Sequence, residues 1–251
     1  MIKDYITTQL EERFDGRETI SREELNNFYK EYDPNLKEAT FRWRIHDLKG
    51  KKIITHISKT QFYLGYKPKY HTPIGDAEQK LYKKIQKQFP GVRQCVWSPS
   101  VLNEFMLHQP QGIISILEVE PDALEPVFHF LKDSNFRNVY LQPSEKEMIY
   151  YVFETDAAIV LQPLISKAPI QKTKQIFVPT IEKILVDIYS DRDLYRAYQG
   201  TELINIVNYA YQHYAVDFTK LFSYAKRRRK DRELRAYLSA NTNIPENIFN
   251  D

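Results

Sequence analysis

The sequence predicts an α+β fold. An N-terminal winged helix-turn-helix (residues 1–66) is expected, then a short linker (67–75) and a C-terminal α/β domain with a helical tail (76–251). Three observations carry this. The N-terminal part reads helix, helix, helix, hairpin, which is the winged-helix order. Between residues 76 and 161 helical and strand patterns alternate. From residue 179 onward, apolar residues recur at helical spacing.

Ile2, Tyr5, Ile6 and Leu10 share one helical stripe, so a first helix should end near Phe14-Asp15-Gly16. Ser21 with Glu24 has the form of a capping box, which predicts a second helix over 22–32, broken by Asp33-Pro34-Asn35. A third helix is expected over 36–49, with Phe41, Ile45 and Leu48 inward. Residues 53–57 and 62–64 read as two short strands joined by Ser58-Lys59-Thr60-Gln61. The stretch 66–73, with two prolines and few apolar residues, reads as linker. Beyond it the pattern predicts an amphipathic helix (76–89), a buried strand (93–97), a helix (101–107), a strand (113–119) and a helix (122–131). Strands are expected at 139–141, 149–153 and 158–161, then helices over 179–189, 201–214, 217–227 and 231–238.

The formal charge of +3 conceals an uneven distribution. Residues 1–35 hold 5 basic and 9 acidic side chains, a net of −4, whereas residues 36–70 hold 9 and 2, a net of +7. From 71 to 190 the balance is 12 to 14, and from 191 to the end 10 to 8, so the remainder is nearly neutral. A basic block centred on the third helix of a winged helix points to an anionic partner, double-stranded DNA. If Phe41, Ile45 and Leu48 face inward, the turn of about 100° per residue directs Arg42, Trp43 and His46 outward, with Thr40 at the flank. Arg44 lies nearer the apolar stripe. Arg42 is the expected base reader, because its fork can engage guanine O6 and N7 together. Lys49, Lys51, Lys52 and Lys59 suit phosphates, and His56 can add a contact from the hairpin. Trp43 fits the DNA surface, a contact with the second domain or a partner, or, with the register shifted by one residue, the core; a core or interdomain role is the expectation. Lys226-Arg227-Arg228-Arg229-Lys230 forms a second, shorter basic cluster.

Composition excludes several classes. Aromatic residues at 14% exclude wholesale disorder, and the lone Cys95 excludes a disulfide scaffold within the chain. No apolar run is long enough to cross a bilayer and no apolar signal core follows the first residues, so a cytoplasmic protein without membrane contact is expected. The six His residues form no short ligand pattern, and the 7 Gly build no phosphate-binding loop; no metal or other cofactor is expected. One enzymatic alternative exists. Ile116-Leu117-Glu118-Val119-Glu120 places two carboxylates on one side of a strand, as metal-dependent nucleotidyl transfer requires. Glu154 or Asp156 would supply a third. The Gly-Ser expected ahead of such a strand is missing, however, and the expectation is a non-enzyme whose C-terminal domain has at most a related, non-catalytic shape.

The run from Ala39 to Leu48, followed by a short wing, resembles the N-terminal half of AbiEi-type antitoxins. The segment Phe177-Val178-Pro179-Thr180-Ile181-Glu182-Lys183-Ile184-Leu185-Val186-Asp187 is similar to that family's signature strand and helix, and Leu221-Phe222-Ser223-Tyr224-Ala225-Lys226-Arg227 fits its helical tail. The resemblance implies a bacterial autorepressor that binds its own promoter and counters a nucleotidyltransferase-fold toxin of a type IV pair. A winged-helix adaptor that binds protein instead of DNA is the remaining alternative.

Overall fold

In the computed structural model, which describes residues 2–110, 112 and 114–249, the N-terminal order is α1 (Ile2–Arg13), β1 (Thr19–Ser21), α2 (Arg22–Tyr32), α3 (Glu38–Gly50), β2 (Ile54–His56) and β3 (Gln61–Leu64). The strands form one antiparallel sheet in the order β1-β3-β2. This is the winged-helix arrangement, and within it β1 is the strand the sequence pattern did not announce. Its three residues are too few to show an alternation. The capping box at α2 is complete: Glu24 N–H donates to Ser21 Oγ at 3.0 Å and Ser21 N–H to Glu24 Oε2 at 2.8 Å. Leu10, Leu25, Phe28, Phe41, Ile45, Leu48, Ile54 and Phe62 close a separate small core. Tyr5, placed on the apolar stripe of α1 by its spacing, is 59% exposed instead; the side chain of Ile2 lies outside the described residues.

The C-terminal part runs α4 (Asp76–Gln88), β4 (Gln94–Trp97), β5 (Ile114–Val119), α5 (Leu124–Asp133), β6 (Val139–Leu141), a one-turn α6 (Glu145–Glu147), β7 (Ala158–Pro163), β8 (Ile170–Thr173) and β9 (Ile176–Pro179). Four helices follow: α7 (Ile181–Ser190), α8 (Thr201–His213), α9 (Phe218–Arg227) and α10 (Asp231–Asn241). The main sheet has the order β4-β5-β7-β6, antiparallel between β4 and β5 and parallel elsewhere; β8 and β9 form a separate antiparallel pair. Both faces of the sheet are covered, which is why its central strands are nearly continuous apolar runs. Val96, Leu117, Ile159 and Leu161 pack beneath α4 and α5. Cys95, Trp97, Ile116 and Val160 pack beneath the C-terminal helices.

The strand β8 was not announced by the apolar pattern, and two predicted elements take another form. Residues 149–153 are not a strand: Met148–Val152 is a π-helical turn. It follows a capping box in which Ser144 and Glu147 satisfy each other's backbone N–H groups, and that local cap decides for helix over the β-prone side chains. The helix expected over 101–107 is a 3-10 helix that runs from Pro99 to Phe105. Of the predicted strand at 113–119, Ile113 lies outside the described residues.

The expected linker is not a free tether. Lys67, Tyr70 and Thr72 are buried. Thr72 Oγ1 donates to the Pro179 carbonyl at 2.6 Å, and Ala215 N–H donates to the Pro68 carbonyl at 2.9 Å. Lys67 Nζ donates to the Tyr211 carbonyl at 2.5 Å and lies 4.1 Å from the ring centres of Tyr63 and Tyr211. The carbonyl and the two ring faces favour the cation, yet burial outweighs them and pushes the amine down to about 8. Between this value and the ordinary 10.5, the unfolded chain holds a proton that the folded chain lacks, so stability rises with pH across that interval. The contribution is complete above the ordinary lysine value and is lost as pH falls through the folded one. Lys67→Met should therefore flatten the difference in urea midpoint between the two ends of that window. A wild-type and variant pair with parallel profiles would contradict the assignment.

Candidate nucleic-acid interface

α3 takes the register its apolar spacing dictates. Phe41, Ile45 and Leu48 are buried against the small core, while Thr40, Arg42, Trp43, His46 and Lys49 are exposed. Trp43 keeps 52% of its surface accessible, so it is not a core residue: the register is the one set by Phe41, Ile45 and Leu48, which leaves position 43 off the buried stripe. Arg42 is held by its own helix: its Nε lies 3.0 Å from Glu38 Oε1, the same oxygen that takes Arg22 Nη2 at 2.5 Å. The hydrogen bond from Arg42, joined by that from Arg22, keeps the Glu38 carboxyl below its ordinary range. A guanidinium so placed is oriented but only loosely bound, because both partners are largely in solvent.

The other sequence candidates divide. Arg44 turns inward: its guanidinium carbon sits 4.7 Å from the Tyr29 ring centre and Nη2 is 3.6 Å from Asp33, so it braces α3 on α2. The reason is angular, since Arg44 adjoins Ile45 at the edge of the buried stripe. Lys51 pairs with Asp47 at 3.1 Å, one turn back. Lys52 lies 4.5 Å over the exposed Tyr66 ring. Burial lowers the Lys49 amine from its ordinary value.

The wing is docked. Ile57 belongs to the large C-terminal core, and Ser58 is 1% exposed. Phe218 N–H, at the start of α9, donates to the Ile57 carbonyl at 2.7 Å; Lys59 N–H donates to Thr219 Oγ1 at 2.9 Å. Asn247 Nδ2 reaches Gln61 Oε1 at 3.2 Å and Thr19 Oγ1 at 3.4 Å. His56 Nδ1 faces Asp217 Oδ2 at 3.7 Å. Of the two wing candidates, His56 is thus turned to α9, and Lys59 keeps an exposed side chain on a backbone anchored to the same helix. No periodicity announces such docking.

The acidic pair at the end of β5 is arranged differently from a metal site. Glu118 is buried, facing α7, and both its oxygens address the Lys183 ammonium at 2.7 Å. Lys183, fully buried, also donates to Asp187 Oδ2 at 2.5 Å, and Asp187 Oδ1 accepts from Tyr224 on α9 at 2.8 Å. Arg228, from the second basic cluster, approaches Asp187 at 3.8 Å. Burial opposes the lysine's charge, but Asp187 and Glu118 outweigh it and hold the amine well above its ordinary range. Burial raises Glu118 even so, and raises the Cys95 thiol beside it. Glu120 lies just past the strand end, half-buried, and Glu154 and Asp156 are exposed. Among the described residues, no group of three or more His, Cys, Asp or Glu could hold a metal ion. Glu118 and Glu120 do not fit a catalytic metal, since the first is committed to a buried ammonium and the second lies beyond the strand end. Also among the described residues, no helix is long and apolar enough to cross a membrane.

A family of unknown function, DUF6577, matches residues 40–244, a span that begins inside α3 and ends beyond α10. No curated protein matches the chain.

Breaking a buried ion pair leaves an uncompensated charge, which costs about 3–5 kcal/mol. Lys183→Met should destabilise the protein by about that amount in urea titration, and the added change Glu118→Gln should restore part of it. A loss below about 1 kcal/mol for the single variant would show the pair to be dispensable.

Proposed function

The chain belongs to the DUF6577 family, whose function is unknown, and we propose that it binds double-stranded DNA through the outward face of α3. The carrying observation is the register of that helix. Three apolar side chains seat it in the domain, and Arg42, Trp43, His46 and Thr40 are left standing on the exposed side of a winged helix within the most basic stretch of the chain. Arg42 is the base reader in this reading and Lys49, Lys51 and Lys52 the phosphate contacts. With His56 turned to Asp217 and the wing backbone tied to α9, affinity in this reading rests on α3 and its flanks, with Lys59 as the exposed cation left on the wing.

Resemblance to AbiEi-type antitoxins supports a finer proposal: the DNA is the chain's own promoter, which it represses, and the C-terminal domain antagonises a nucleotidyltransferase-fold toxin. Buried Glu118 favours this over nucleotidyl transfer. Gel-shift titration with the DNA upstream of its gene against random duplex tests the reading. Preference for the upstream DNA supports it, and equal affinity would sink specific repression.

Arg42→Ala should weaken specific binding by about 1–3 kcal/mol and relax one operator position, whereas Lys51→Ala should weaken all sequences alike. Glu38→Gln frees the Arg42 fork and removes a like charge from the DNA side. A strengthening of up to about fivefold is expected, on the scale of one exposed ion pair, and weaker binding would show that Glu38 positions Arg42 productively.

A further inference from the structure

α4 buries Leu81, Tyr82 and Ile85, with Glu78 continuing the same stripe one turn earlier. Shifting that stripe by two residues, about 200° around the helix, gives Lys80, Lys83, Lys84 and Lys87. All four are lysines, and all four are exposed. The helix thus carries a row of ammonium groups directly opposite its buried face.

The row is costly for an isolated helix. Lys80 with Lys83 and Lys84, and Lys87 with Lys83 and Lys84, are like-charge pairs at the i,i+3 and i,i+4 spacings, each of which destabilises a helix. A solvated face normally interleaves acids at these spacings. Here the acid four residues before Lys80, Asp76, accepts instead from Gln79 Nε2 at 3.5 Å, and Glu78 is buried, accepting from Ser115 Oγ at 2.6 Å. Among the described residues no ion pair joins any of the four lysines to an acid. Lys84 rests its ammonium 5.9 Å from the Phe130 ring centre on neighbouring α5.

We infer that this lysine row is a second nucleic-acid contact, which tracks the phosphate backbone of a duplex without reading its sequence. The proposal extends the DNA-binding reading above to a different helix. The row spans about 10 Å, over which one strand of B-DNA presents about three phosphates. Insertion into a lipid surface would need an exposed apolar flank, and the apolar side of α4 is buried in the core.

The test is the salt dependence of binding of the full chain to a random-sequence duplex. Replacing all four lysines by Gln should lower the slope of log K against log salt by about 3, while the four-fold Arg variant keeps the wild-type slope. Both sets suit a helix, and thermal unfolding confirms that each folds. A Gln variant with the wild-type slope overturns the lysine row and leaves α3 as the binding face. A wild-type chain that binds no duplex overturns both proposals. Binding to phosphatidylserine vesicles that is lost in the Gln variant, with duplex binding intact, assigns the row to a membrane surface and overturns this one.

Discussion

A buried ammonium holds the C-terminal domain together. Lys183 enters the structure with its charge only because Glu118 comes from the middle of the sheet and Asp187 from the next turn of the same helix. Removing three charges from water is expensive, and the mutual attraction repays it only when remaining lone pairs are also satisfied. Tyr224 and Arg228 meet Asp187 from α9 and its end, so the requirement propagates outward. The sheet, α7 and α9 are fixed relative to one another by one set of hydrogen bonds. Glu182, next to Lys183, adds a second tie: its Oε1 accepts from Asp217 N–H and from Lys220.

That constraint reaches the winged helix through α9. Its first turn offers Phe218 N–H to the wing strand and Thr219 Oγ1 to the wing tip, and Ile57 sits in the C-terminal core. A wing used in this way is a strut. It ties the domain that carries α3 to the start of α9. The buried stretch through Lys67 and Thr72 reinforces the same seam.

Much of the local structure was legible. The Ser21 and Glu24 capping box, the stripe of Phe41, Ile45 and Leu48, and the short apolar runs around Leu117 and Val160 all depend on neighbours within a few residues. The legible part of the site was the outward face of α3, including the marginal position of Arg44. Illegible were its tie to Tyr29 and Asp33, the grip of Glu38 on Arg42, and the docking of His56 against Asp217. The π-helical turn at Met148–Val152 failed for the opposite reason: a strong local cap defeated a side-chain pattern that favours strand.

By itself the sequence determined which faces are apolar, where helices begin, and where the charge lies, from the −4 of the first 35 residues to the +7 of the next 35. These are properties of spacing and composition, and periodicity carries them without reference to the rest of the chain. Only the tertiary structure decided what each charge does. Lys183 and Glu118 are 65 residues apart, and Lys59 and Thr219 are separated by 160. A charged side chain is a solvated surface group or a buried cornerstone according to what long-range packing brings opposite it, and no local pattern encodes that partner.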